Sequence, residues 1–245
     1  MRIERELLER FRLLSTATTA PLKTDRKLEK VRAEMDNAAP HVILASGSKN
    51  RQQFMEALNI PFTIIPSNFD EKSIKTDDPY AKVQEIARMK AYSIAINHIG
   101  IIIAADTFNM FDGHQYEKPA NLEEAKLMLR ELSGKTGESI TGICILNTAK
   151  ETETTVLKTI PIKCKELEEE EIEMYVREKP ITQWAAAYNP LDHSSKSIFQ
   201  ALVPYTNGLE YGLSIDVVAK ELLENGIQIT TPNLFKTRES ETFKS

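Results

Sequence analysis

Val42-Ile43-Leu44-Ala45-Ser46-Gly47-Ser48-Lys49-Asn50-Arg51 passes from an apolar run, through a Ser-Gly-Ser turn, into a polar and cationic segment. The spacing predicts a short buried strand over Val42–Ala45, a turn able to cap a helix, and a helix from about Lys49 to Leu58. The same alternation continues outward. Phe62–Ile65 reads as a second strand, and Asp78-Pro79 opens a long helix with Asp as N-cap and Pro at the first helical position. Ile101–Ala105 is another apolar strand. Asn121, followed three residues later by Glu124, marks a further helix start, and Leu132-Ser133-Gly134 supplies its stop. Ser139–Leu146 and Thr155–Lys165 read as strands, Glu168–Arg177 as a helix ended by Pro180, and Ser214–Glu224 as the last helix, closed by Gly226. Strands alternating with helices imply an α/β fold whose sheet is at least partly parallel.

The chain has 245 residues, 41% hydrophobic and 27% charged, which excludes collagenous, disulfide-scaffold and wholly disordered classes. A net charge of −5 argues against binding long nucleic acid through a general basic field, and leaves open a small anion held by a few local cations. Cys144 and Cys164 lack C-x-x-C spacing and read as small buried residues of strands, consistent with a reducing, cytoplasmic setting. No apolar run approaches the ~18–20 residues of a membrane span, so no membrane partner is expected. Three regions follow. Residues 1–40 form an N-terminal extension, an amphipathic helix through Ile3, Leu7, Phe11 and Leu14 plus a linker; residues 41–229 form one α/β domain; residues 230–245 form a polar tail.

Four features could carry chemistry. The turn Ser46–Arg51 offers hydroxyls, free backbone N–H groups and a cation at a helix start, a cradle for phosphate oxygens, although Gly and Ser before a helix also serve as ordinary caps. Asp106 is expected to terminate the Ile101–Ala105 strand, where an acid can hold a metal or activate water, or simply form a turn. Asp70-Glu71 could ligate Mg²⁺ through oxygen or belong to a solvated loop. Lys90 lies in the apolar stripe of Ile86, Ala87 and Ile94, so it must snorkel, pair, or meet an anion. Lys118-Pro119 adds a cation after a turn at Asp112-Gly113. The glutamates between Glu166 and Glu173 read as a solvated helix start. His41, His98, His114 and His193 have no metal or triad spacing, which disfavours histidine catalysis.

Taken in order, these segments resemble the Maf family, named for septum formation and containing nucleoside triphosphate pyrophosphatases. The resemblance runs from about Val42 to Ile227. It is carried by Ser46-Gly47-Ser48-Lys49-Asn50-Arg51, Asp70-Glu71, Ala87-Arg88-Met89-Lys90-Ala91, Ala105-Asp106-Thr107, Lys118-Pro119, Leu132-Ser133-Gly134-Lys135-Thr136 with Thr141-Gly142, and Gly212-Leu213. It implies an elongated mixed sheet flanked by helices, related in shape to inosine triphosphatase, with two lobes, a cleft between them, and a homodimer. It also implies hydrolysis of a nucleoside triphosphate to the monophosphate and diphosphate, with Mg²⁺, Mn²⁺ or Co²⁺, as house-cleaning of the nucleotide pool. Ala105-Asp106-Thr107 looks like the branch acting on dTTP and UTP. Carried onto this chain, Asp106 is the base or water-orienting carboxylate and a metal ligand with Glu71, while Ser46, Ser48, Arg51, Lys90, Thr107 and Lys118 bind the triphosphate. The chain departs from the family pattern at Gln52, Glu117 and Ala185–Asp192, where Leu191 replaces a polar residue and both glycines are absent. Those departures define the alternative, a nucleotide-binding or cell-division regulatory protein with weakened catalysis.

Overall fold

The computed structural model describes residues 40–189, 198–201 and 212–229; the expected N-terminal helix, the C-terminal tail and Leu191 lie outside them. Within those residues, the chain runs β1 (Val42–Leu44), α1 (Lys49–Ala57), β2 (Thr63–Ile64), a 3₁₀ turn (Glu71–Ser73), α2 (Pro79–Ala95), β3 (Ile101–Phe111) and β4 (His114–Tyr116). It continues with α3 (Leu122–Leu132), β5 (Thr136–Asn147), β6 (Thr152–Cys164), α4 (Glu169–Glu178), two 3₁₀ turns (Ile181–Gln183, Ala185–Ala187), β7 (Phe199–Ala201) and α5 (Ile215–Glu224). The seven strands form one sheet in the order β2-β1-β3-β5-β6-β7, with β4 paired to β3. The β2-β1-β3 part is parallel and the rest antiparallel, which makes the sheet mixed.

Strand pleat sorts β3 onto two helical layers. Ile101, Ile103 and Ala105 pack with Phe54 and Met55 of α1, Leu58 at its C-cap, and Val218 and Leu222 of α5. Ile102 and Ala104, on the opposite face, pack with Ala87, Ala91 and Ala95 of α2. Farther along the same strands a separate core gathers Phe111, Ile162 and Phe199 with Leu129 of α3, Ile172 of α4, and Ala186 and Tyr188. Two lobes thus share β3, β5 and β6, and a cleft opens between them. α2 reaches along the far face because Gly142 has no side chain: a Cβ there would meet the Val83 carbonyl oxygen at 2.3 Å.

One expectation is corrected. Asp106 does not end its strand; β3 continues to Phe111 because antiparallel β5 pairs with it from Ile101↔Asn147 to Phe111↔Gly137. What ends is the parallel neighbour, since β1 pairs with β3 only as far as Leu44↔Ile103. From Ala104 to Phe108, between the end of β1 and the start of pairing with β4, one edge of β3 is released, and Asp106 sits on that free stretch. β2 is shorter than expected, and β4 and β7 complete the sheet where no strand was read. The cysteines are free, buried in β5 and β6, and burial pushes both thiols up to about 12, so they act as inert core residues.

Candidate active site

The cleft has a volume of about 1230 Å³ and is lined from both lobes: Ser48, Asn50 and Arg51 from the turn and α1, Glu71 from the loop, Asp106 and Thr107 from β3, and Lys118, Trp184 and Tyr188 from the far lobe. Five cationic side chains, Lys49, Arg51, Lys72, Lys82 and Lys118, face it against three carboxylates, Glu71, Asp106 and Glu117. A chain of net charge −5 therefore concentrates positive charge at this one concavity.

Arg51 is the structural centre of the near wall. It is 8% exposed. Its Nε donates to the Gly212 carbonyl at 2.9 Å, one terminal nitrogen to Ser46 Oγ at 3.1 Å, and the other to Thr107 Oγ1 at 3.1 Å. The planar fork clips together the Ser46 turn, β3 and the entry to α5. Burial lowers its pKa from the ordinary arginine value, opposed by the charges of Asp106 and Glu71. Ser46 Oγ also accepts from the Ser48 backbone N–H at 3.2 Å. Ser48 occupies the N-cap position of α1 without making a side-chain cap, and the first turn of that helix carries no acid. Capping thus leaves the Ser48 hydroxyl available to the cleft, next to a helix end that favours anions.

The opposite face of β3 presents the carboxylate. Residues 106 and 107 alternate across the pleat, so Thr107 meets Arg51 while Asp106 meets α2. Lys90 Nζ lies 2.7 Å from Asp106 Oδ1 and 2.7 Å from Glu71 Oε1. The Lys90 and Asp106 side chains are each 12% exposed, and that of Glu71 is 48% exposed. Lys90 therefore pairs, and does not snorkel. Burial raises the Asp106 pKa above the usual carboxylate value, with Lys90 and Arg51 pulling it back and Glu71 adding to the rise. Of the acidic pair, Asp70 accepts from the Lys72 backbone N–H at 3.1 Å and caps the 3₁₀ turn, while Glu71 turns toward Lys90.

All eight residues singled out, Ser46, Ser48, Arg51, Glu71, Lys90, Asp106, Thr107 and Lys118, lie at the cleft or bond directly to a residue that lines it. Sequence reasoning missed Lys72, Lys82 and Trp184. Lys82 was findable: it precedes Ile86 and Lys90 at intervals of four, and so shares their stripe. Glu117 lines the cleft beside Lys118, and its carbonyl accepts from the Ala186 N–H at 3.1 Å. Asn50 Nδ2 reaches Asn189 Oδ1 at 3.1 Å, and Asn109 Nδ2 the Ala185 carbonyl at 3.1 Å. Within the Glu166–Glu173 cluster, Glu168 and Glu171 make helix-start contacts, and Glu169, Glu171 and Glu173 pair with Arg130, Lys165 and Lys126.

Glu71 and Asp106 converge on one point, and both offer hard oxygen donors suited to Mg²⁺ or Mn²⁺. Among the described residues no group of three or more His, Cys, Asp or Glu gathers, so two carboxylates are the acidic ligand set. That set fits an ion that takes its remaining ligands from phosphate oxygens and water.

Residues 41–224 match the Maf-like protein family. A dTTP/UTP pyrophosphatase of Bacillus cereus (strain B4264) is 35% identical over 190 residues, covering 77% of this chain and 97% of that protein. A Bacillus anthracis (strain CDC 684 / NRRL 3495) dTTP/UTP pyrophosphatase is 36% identical over 193 residues, with the same coverage. Among solved structures, a nucleoside-triphosphatase (dITP/XTP pyrophosphatase) from Mycobacterium abscessus is similar at a TM-score of 0.38 and 12% identity, over 76% of this chain and 97% of that one. With three quarters of its length matched, this chain belongs to the Maf family.

Proposed function

We propose that this Maf protein is a nucleoside triphosphate pyrophosphatase: water attacks the α-phosphorus, the bond from that phosphorus to the α–β bridging oxygen breaks, and nucleoside monophosphate and diphosphate leave. The observation that carries this reading is the triad Glu71–Lys90–Asp106, held at 2.7 Å contacts at the edge of a cleft rich in cations. Asp106, on the released edge of β3 and lining the cleft, is placed to accept the proton of the attacking water. Lys118 and the Ser48 turn meet the phosphate oxygens, and Arg51 holds that turn against β3. Glu71 and Asp106 would hold a divalent ion, Mg²⁺, Mn²⁺ or Co²⁺, whose chemistry is to neutralise charge developing on the phosphate oxygens.

The pyrimidine triphosphates dTTP and UTP are the proposed substrates, because relatives of that name cover most of the chain. A homodimer is proposed from the family resemblance. A cytoplasmic setting is proposed from the two free thiols; among the described residues no helix is long and apolar enough to cross a membrane. The test is diphosphate release from a panel of canonical and modified triphosphates with Mg²⁺ or Mn²⁺. Asp106→Asn is expected to lower turnover by on the order of 10²–10⁴-fold with its thermal transition retained. Wild-type and Asp106→Asn protein that both release nothing would end the proposal.

A second reading, triphosphate binding with little turnover, is favoured by the negative charge of Glu117 beside Lys118. The single tryptophan, Trp184, lines the cleft and reports binding by its emission. Saturable quenching by dTTP without diphosphate release is the outcome that reading expects.

A further inference from the structure

Lys90 makes contacts that a simple phosphate ligand would not need. Its ammonium stands 2.7 Å from Oε1 of Glu71 and 2.7 Å from Oδ1 of Asp106, bridging the two carboxylates proposed to hold a divalent ion. Arg51 acts on Asp106 only through its charge, its Nε and both terminal nitrogens donating instead to Gly212, Ser46 and Thr107. Lys90 is thus the side chain that directly neutralises the buried Asp106 carboxylate, which without it would face Glu71 unpaired. An ammonium and a divalent cation compete for the same pair of carboxylates: both are positive, and at this range their repulsion is weakly screened in a partly buried site.

We propose that Lys90 is a place-holding cation that occupies the carboxylate pair of the nucleotide-free protein and makes metal binding contingent on the triphosphate. The triphosphate offers anionic oxygens that accept Lys90 in exchange for Glu71 and Asp106, and it supplies the ligands that two carboxylates cannot. Metal and nucleotide then bind with strong mutual reinforcement, and each is held weakly alone. Lys90 acts as a positioning residue for the metal site. The inference rests on the reading of the cleft as a metal–triphosphate site, but its consequence concerns metal affinity and can be measured without turnover.

The experiment is a titration of full-length protein with Mn²⁺ in the absence of nucleotide, followed by electron paramagnetic resonance of free Mn²⁺, for wild type, Lys90→Met, Lys90→Gln and Lys90→Met/Glu71→Gln. Wild type is expected to bind weakly, and Lys90→Met and Lys90→Gln about tenfold tighter or more, by the size of a unit-charge repulsion at this range. The double variant is expected to lose that gain. Repeating the titration with an α,β-methylene triphosphate should tighten Mn²⁺ binding to wild type strongly, and to Lys90→Met much less. Two results overturn the proposal: lysine variants that bind Mn²⁺ no tighter than wild type, or a wild type whose nucleotide-free affinity already matches that of the analogue complex. The second uses the native protein and does not depend on any variant folding. A protein that shows the expected metal behaviour but releases no diphosphate would defeat the proposed reaction and leave the role of Lys90 intact; turnover without the metal behaviour would do the reverse.

Discussion

At the scale of single residues, side chains already satisfied inside the protein and those offered to the cleft have separate roles. Ser46 and Arg51 spend their bonds on one another and on Thr107 and Gly212, so their substitution is felt in stability as well as in activity. Arg51→Ala removes three hydrogen bonds to a buried guanidinium and is expected to lower stability by about 2–4 kcal/mol, measured by urea denaturation. Ser48→Ala removes no cap and is expected to leave the denaturation midpoint unchanged while raising the KM for triphosphate. Ala186 and Ala187 tell the opposite story. They carry φ of 56° and 52°, a left-handed region costing an L-residue about 1–2 kcal/mol. Ala186 falls where the family pattern has glycine, so the replacement brings strain to the far wall of the cleft. Ala186→Gly is expected to stabilise the protein by about 0.5–1 kcal/mol, after allowing for the greater unfolded freedom of glycine. An unchanged or lowered midpoint would refute that accounting of the strain.

At the scale of elements, α2 matters most, since it carries Lys82, Ile86 and Lys90 along one stripe and lies in contact with β5. Gly142→Ala would drive a Cβ into the Val83 carbonyl at 2.3 Å and force the helix off the sheet. A loss of about 1–3 kcal/mol is expected, with a further fall in activity as Lys90 moves from Asp106; calorimetry and kinetics on one preparation check both. On the outer side of α2, Arg88 bonds Glu85 and Glu153 at 2.7 Å each. Burial opposes ionisation of Glu153, but donors from Arg88, Tyr92 and Thr155 outweigh it and hold its pKa below the ordinary 4.5. A depressed carboxylate stabilises the fold above its unfolded pKa, and that contribution is lost as pH falls through the folded value. The stability difference between wild type and Glu153→Gln is therefore expected to shrink on acidification below about pH 4.5, and a constant difference would contradict the assignment.

Most elements were legible because local signals agreed: Asp78 caps α2 through the Tyr80 N–H, Asn121 caps α3 through the Glu124 N–H, and Ser214 stands before α5. The end of β3 was not legible, because Asp106 and Asn109 are poor strand formers and only long-range pairing with β5 holds them extended. The same pairing hid the geometry of the site. The acid could be picked from its place after an apolar run, yet its position on a strand edge freed by the end of β1 is a property of register. The β3–β4 hairpin was half visible: Asp112-Gly113 is a turn signal, and both residues have positive φ, but His114–Tyr116 has little strand character of its own.

At the scale of the whole molecule, an acidic chain builds a cationic cleft by bringing Arg51 of α1, Lys82 of α2 and Lys118 of the loop after β4 to one place between two cores. Neither lobe holds the constellation alone: Ser48 and Arg51 come from one and Lys118, Trp184 and Tyr188 from the other, so both must be folded together for a nucleotide to be gripped. The central claim, cleavage between the α and β phosphates in that cleft, is tested most directly by ³¹P NMR of dTTP or UTP incubated with the protein and Mg²⁺. The account predicts that monophosphate and diphosphate resonances grow together in equal amounts, and that both grow far more slowly in Asp106→Asn. Nucleoside diphosphate with orthophosphate would contradict it.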